Sequence, residues 1–109
     1  MSDRRVAVVG YGRIGATHAE NLARRVRGVQ LVAVTTSNEE RATEAKRLLG
    51  DVAVYPDLDT LLAHEELDAV VIASSTSAHV DNVVRCAAAG LSIFCEKPLA
   101  LNQIGRAHV

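Results

Sequence analysis

Aromatic residues are scarce in this 109-residue chain: no tryptophan, one phenylalanine and two tyrosines, 3% in all. Cysteine is as scarce. Cys86 and Cys95 offer neither the number for a disulfide framework nor the spacing of a metal site. No metal is expected, and a reduced, cytoplasmic setting is the simplest inference. With two prolines there is no proline-rich linker. Charge of one sign is also lacking, because the formal net charge is −1. The chain exerts no long-range pull on nucleic acid. Its basic run, Arg24-Arg25-Val26-Arg27, falls at the expected end of a helix, where cations complement the dipole. Long hydrophobic runs are missing too. The apolar stretch after Arg5 ends at Gly10, too short for a membrane span or a secretory core. Neither nucleic acid nor membrane is an expected partner.

What is present is a 49% hydrophobic composition, enough for one domain with a modest core. Ala, Val and Leu dominate it, which suits parallel strands covered by helices. Strands and helices alternate from end to end. Arg4 to Val9 reads as strand one and Arg13 to Arg27 as helix one, stopped by Gly28. Gln30 to Thr35 is strand two. Asn38 is the N-cap of a helix over Glu39 to Leu49, closed by Gly50. Val52 to Tyr55 is a short third strand, and Pro56 and Asp57 open a short helix carrying Leu58, Leu61 and Leu62. Leu67 to Ala73 is strand four, Thr76 to Ala89 a helix stopped by Gly90, and Leu91 to Cys95 strand five. The order βαβαβαβαβ predicts an α/β, Rossmann-type, doubly wound parallel sheet with strand order 3-2-1-4-5, ending before the last strand such a fold carries.

That fold places ligands at the carboxyl ends of its strands, and the candidate residues all lie there. Strand one runs into Gly10-Tyr11-Gly12-Arg13-Ile14-Gly15, a G-x-G-x-x-G with a strand before it and a helix after it. Gly10 would make the turn. Gly12, without a side chain, would let a pyrophosphate approach the backbone. Gly15 would let the helix pack close to the sheet. Without that context the glycines would be weak evidence, and an ordinary ligand-free turn is the bland alternative. After strand two the carboxylate that usually binds the adenosine ribose is missing. Thr36 and Ser37 stand there, so NADP is tolerated as well as NAD. Arg41 could hold a 2′-phosphate, although one turn into a helix it is more often solvated. After strand four come Ser74, Ser75 and Thr76, small enough to approach a cofactor. Thr76 is also a good N-cap. His79 follows in the first helical turn, where a capping or surface role is the commoner one. After strand five, Glu96 and Lys97 leave a buried strand directly. A lysine there can donate to a substrate oxygen or move a proton.

Three of these motifs together carry a resemblance. Gly-Tyr-Gly-Arg-Ile-Gly with His18 following, the Ser-Thr-Ser-x-His stretch, and Cys95-Glu96-Lys97-Pro98-Leu99 resemble the Gfo/Idh/MocA oxidoreductases, from Val6 to about Asn102. The wording is most similar to the inositol 2-dehydrogenases of that family. The resemblance implies hydride transfer between a polyol or sugar-like hydroxyl carbon and the nicotinamide of NAD or NADP. Lys97 is implied as the catalytic residue beside the nicotinamide. Two departures, Ser74-Ser75 in place of Thr-Pro and Thr36 in place of an acidic residue, touch cofactor preference rather than fold. The resemblance also implies a second, substrate-binding domain through which the full-length family members form homo-oligomers.

The sequence is expected to hold only the cofactor half of such an enzyme, without that domain. Residues 1–102 are expected to be the dinucleotide-binding domain. Residues 103–109 are expected to be a non-native tail, because Gln103 to Val109 matches the translation of a common sequencing adapter up to its stop codon. His108 is accordingly no catalytic candidate. The expected function is that of a cofactor-binding domain without turnover of its own. Its rivals are a stand-alone nucleotide-binding or regulatory module, and an interaction protein that kept the fold without binding.

Overall fold

The computed structural model describes residues 4–24, 28–74 and 76–95. Five strands, β1 (Arg4–Val9), β2 (Val29–Thr35), β3 (Ala53–Tyr55), β4 (Ala69–Ile72) and β5 (Ser92–Cys95), alternate with α1 (Arg13–Arg24), α2 (Glu39–Leu49), α3 (Leu58–His64) and α4 (Thr76–Ala88). All strand pairs are parallel, in the order β3-β2-β1-β4-β5. The predicted architecture and strand order are the observed ones. Observed elements differ from the predicted ones by a few residues at their ends, as helix and strand ends commonly do. The predicted last residues of helix one, 25–27, lie outside the described residues.

Alternation along the strands divides the core in two. Ala7 and Val9 of β1 and Val70 and Ile72 of β4 pack with Leu58, Leu61 and Cys86 under α3 and α4. Val8 of β1 and Val34 of β2 pack with Tyr11, Ala19 and Ala45 under α1 and α2. One irregularity interrupts this alternation. Val6 pairs with Leu31, but Ala7 pairs with Ala33, so Val32 is an extra residue in β2. Such a bulge shifts the register by one and turns each later side chain to the opposite face. Val9 is thereby paired with Thr35 instead of Val34.

Local chemistry starts and stops the helices. Asn38 caps α2 by accepting the Arg41 N–H at 3.0 Å, and Glu39 and Glu40 in the first turn and Lys46 and Arg47 in the last complement the helix dipole at its two ends. Asp57 caps α3, accepting the Thr60 N–H at 2.8 Å. At the opposite end of the sheet, Arg5 fastens β1 to the segment before β4. Its guanidinium donates to Glu65 Oε1 at 2.9 Å and to the Glu66 carbonyl at 2.6 Å, and its N–H donates to Asp68 Oδ2 at 2.8 Å. The Tyr55 hydroxyl donates to the other Glu65 oxygen at 2.5 Å. Arg5, Glu65, Glu66 and Asp68 do not line the cleft described next, and their network stabilises the fold. The ion pair in it is partly buried, with the Glu65 side chain largely covered and the Arg5 guanidinium reaching solvent.

Candidate cofactor site

At the carboxyl ends of β1, β2 and β4 the loops enclose a cleft of about 540 Å³. Parallel strands leave their last carbonyls and the following turns at this end, and neighbouring crossovers diverge there, so the opening follows from the topology. Gly10, Tyr11 and Gly12 line it from β1, and Thr35, Thr36, Ser37, Asn38 and Arg41 from β2 and α2. Pro56, Asp57 and Leu58 come from the β3–α3 turn, and Ala73, Ser74 and Asn82 from β4 and α4.

The three glycines have distinct steric reasons. Gly10 has φ +97°, and a Cβ on it would lie 2.8 Å from Ser74 Cα and N. Any side chain would strain the turn and collide with the loop after β4. A Cβ on Gly15 would lie 1.8 Å from the Gly10 carbonyl oxygen, so this glycine seats α1 against the turn itself as well as near β4. Gly12 differs: among the described residues, a Cβ there would meet nothing within 4 Å. Packing does not require a glycine at that position, whereas close approach of a ligand to the backbone would. The Ala16 N–H is bonded to the Gly12 carbonyl at 2.8 Å, so α1 starts at the turn. Its first N–H groups lack intrahelical partners. No acidic residue lies in its first turn, in contrast to the two in α2. An anion is favoured there by the N–H groups and the helix dipole together.

Thr35 holds the turn in place. Buried at 5% exposure, it accepts the Gly10 N–H on Oγ1 at 3.0 Å and the Tyr11 N–H on its carbonyl at 3.0 Å. Next to it, the Thr36 N–H is bonded to the Tyr55 carbonyl at 2.9 Å, and Thr36 Oγ1 accepts the Asn38 N–H at 3.2 Å. Arg41 donates to Glu44 at 3.3 Å across the surface of α2. On the far wall Asn82 donates from Nδ2 to Ser74 Oγ at 2.8 Å. Asp57, on the rim, is held below the usual carboxylate range by the hydrogen bond from the Thr60 N–H.

Of the residues proposed from sequence, the cleft gathers Gly10, Tyr11, Gly12, Thr36, Ser37 and Ser74, along with Arg41. Arg13, Ile14 and Gly15 do not line it. Arg13 and Ile14 are exposed in the first turn of α1, and Gly15 is buried beneath the turn. The Tyr11 ring packs into the core under α1 and α2, and among the described residues its buried hydroxyl has no hydrogen-bond partner. Burial chiefly pushes that phenol up, with Glu44 and Glu20 adding to the effect, so it stays neutral. Thr76 and His79 begin α4, but their side chains lie outside the description, and Ser75, Glu96 and Lys97 lie outside the described residues. Sequence reasoning missed Thr35, Asp57 and Asn82. By sequence pattern Thr35 is the end of a strand, Asp57 the opening of a helix and Asn82 helix interior. None carries a motif, and each is recruited by the folding of a neighbouring loop.

A parallel doubly wound sheet with a glycine turn and hydroxyl-bearing loops around its carboxyl-end cleft defines a dinucleotide-binding Rossmann domain. The chain belongs to the Gfo/Idh/MocA oxidoreductases: the model of that family, an oxidoreductase family with an NAD-binding Rossmann fold, matches residues 4–107. It is similar to myo-inositol 2-dehydrogenase of Thermotoga maritima, with 43% identity over 98 residues, covering 90% of this chain and 29% of the relative. Among solved structures it is similar to myo-inositol 2-dehydrogenase of Lactobacillus plantarum, with TM-score 0.84 and 35% identity over 90% of this chain and 29% of that one. It is also similar to scyllo-inositol dehydrogenase of Lactobacillus casei with bound NAD(H) and scyllo-inositol, with TM-score 0.83 and 33% identity over 89% of this chain and 28% of that one. The chain therefore spans less than a third of the length of these relatives. Among the described residues, no helix is long and apolar enough to cross a membrane.

Proposed function

We propose that this chain is the cofactor-binding part of an oxidoreductase that moves a hydride between nicotinamide and a hydroxyl-bearing carbon of a polyol or sugar-like substrate. The observation that carries the reading is the open space in front of Gly12, facing an acid-free helix start. A pyrophosphate fits there, held by the backbone of the turn from Gly10 to Gly15. Thr36, Ser37 and Asn38 would take the adenosine end, with Arg41 and Asp57 on the rim. Ser74, Ser75, Thr76 and His79, after β4, would approach the nicotinamide half. When bound, the cofactor supplies the hydride acceptor. This chain's own contribution is to bind and orient it, and Lys97, with Glu96 beside it, would hold or move the proton at the substrate hydroxyl oxygen.

With hydroxyls in place of a carboxylate after β2, the pocket accepts NADP as well as NAD. Arg41 could turn to a 2′-phosphate at small cost, because an exposed pair such as Arg41–Glu44 is worth only about 0–1 kcal/mol. Residues 1–102 form the binding domain on this reading, residues 103–109 are a non-native tail, and the longer protein is a cytoplasmic homo-oligomer. Alone, the chain binds cofactor without turning over substrate, since the groups that orient substrate come from elsewhere and orientation supplies much of the rate.

Titration calorimetry of the 109-residue chain with NADH and NADPH tests the binding, and an inositol oxidation assay tests the lack of turnover. Saturable binding of both with no oxidation is expected. A folded chain that binds neither would leave the interaction-protein reading standing, and robust inositol oxidation would overturn the claim of inactivity.

A further inference from the structure

We infer that Asn82 is a positioning residue for the dinucleotide, setting the Ser74 hydroxyl as a hydrogen-bond donor into the cleft. This inference rests on the reading of the cleft as a cofactor site. Asn82 lies in the body of α4, and Ser74 in the loop after β4, eight residues earlier. Asn82 Nδ2 donates to Ser74 Oγ at 2.8 Å, and both residues line the cleft beside Gly10 and Gly12. The Ser74 backbone is also the surface on which Gly10 rests, since a Cβ on Gly10 would lie 2.8 Å from Ser74 Cα.

The polarity of the bond decides its consequence. A serine hydroxyl has one proton and two acceptor sites. An amide donating to the oxygen occupies an acceptor site and leaves the proton for another partner. The neighbouring turn is built for a ligand rich in acceptor oxygens, and a dinucleotide carries them on its phosphates and riboses. Asn82 thus serves two ends at once. It fixes the serine rotamer at the foot of the glycine turn, and it keeps that hydroxyl a donor towards the ligand rather than an acceptor.

A double-mutant cycle on the 109-residue chain, read by NADH titration, tests this. Asn82→Ala should weaken NADH binding several-fold, about the value of one neutral hydrogen bond. Alanine favours helix, so its melting temperature should hold. In a Ser74→Ala background the same change should cost nothing more. Asn82→Asp, nearly isosteric, should weaken binding further, about a hundredfold, because a carboxylate captures the serine proton and adds negative charge facing an anion. Additive effects of Asn82→Ala and Ser74→Ala, or parent-like binding by Asn82→Asp, would overturn the role of Asn82 while leaving the cofactor site intact. A folded parent that binds no NADH would overturn the reading of the cleft, and the role of Asn82 with it.

Discussion

Replacing Thr35 with valine tests whether a single buried hydroxyl holds the glycine turn. Thr35 Oγ1 accepts the Gly10 N–H at 3.0 Å in a half-buried setting, and valine keeps the shape while removing the acceptor. An N–H left without a partner costs about 1–3 kcal/mol. The extra methyl, buried where Thr35 is 5% exposed, returns about 0.8 kcal/mol. The net loss is on the order of 1 kcal/mol, which lowers the melting temperature of a domain this size by about 4–8 °C. Melting alone is ambiguous, because Thr35→Ser loses a methyl worth about 0.8 kcal/mol and should melt nearly as early. Amide hydrogen exchange at Gly10 separates the two. In Thr35→Val the Gly10 amide should exchange faster by about fivefold, the factor equivalent to 1 kcal/mol. In Thr35→Ser it should stay protected, and NADH binding should follow the same split. A Thr35→Val chain with parental melting, parental Gly10 protection and parental NADH affinity would refute the assignment.

Gly12→Val should fold with a near-parental melting temperature, because a Cβ there meets none of the described residues within 4 Å, yet lose NADH binding in calorimetry; Gly15→Ala, 1.8 Å from the Gly10 oxygen, should instead show its damage in the melt itself. Thr36→Asp should move the ratio of NADH to NADPH affinities towards NADH by about tenfold, by repulsion of the 2′-phosphate, and an unchanged ratio would remove Thr36 from the adenosine site. Tyr11→Phe, which deletes a buried hydroxyl with no partner among the described residues, should raise the melting temperature, by about 4–8 °C if 1 kcal/mol is recovered; a lowered one would reveal a partner for that hydroxyl. Asp57 is ionised more readily in the fold than in the unfolded chain because it accepts the Thr60 N–H. Its contribution is therefore present above the ordinary carboxylate pKa and is lost as pH falls through the lower folded value. The gap in melting temperature between the parent and Asp57→Asn should accordingly be open at neutral pH and close in acid, and a gap independent of pH would show that the charge is not what caps α3.

Much of this protein follows from its sequence because the relevant signals are local. Short β-branched apolar runs such as Val70-Val71-Ile72, set between helical patterns, read as buried strands, and parallel strands joined by right-handed crossovers leave few arrangements, the order 3-2-1-4-5 among them. Asn38 and Gly50 mark helix ends because the backbone groups they satisfy lie within four residues. The glycine turn is legible for the same reason, since its steric demands arise from adjacent segments. What tertiary structure decided involves partners distant in the chain. The extra residue at Val32 turns Thr35 to the face where Val9 lies and so brings its hydroxyl to the Gly10 N–H, twenty-five positions away. No periodicity in β2 announces that bulge, which arises from how two strands settle their register. The pairing of Asn82 with Ser74 and the place of Asp57 on the cleft rim have the same origin. Helix propensity and capping put each residue on its own element, but only the packing of α3 and α4 against the sheet directs them to a common opening.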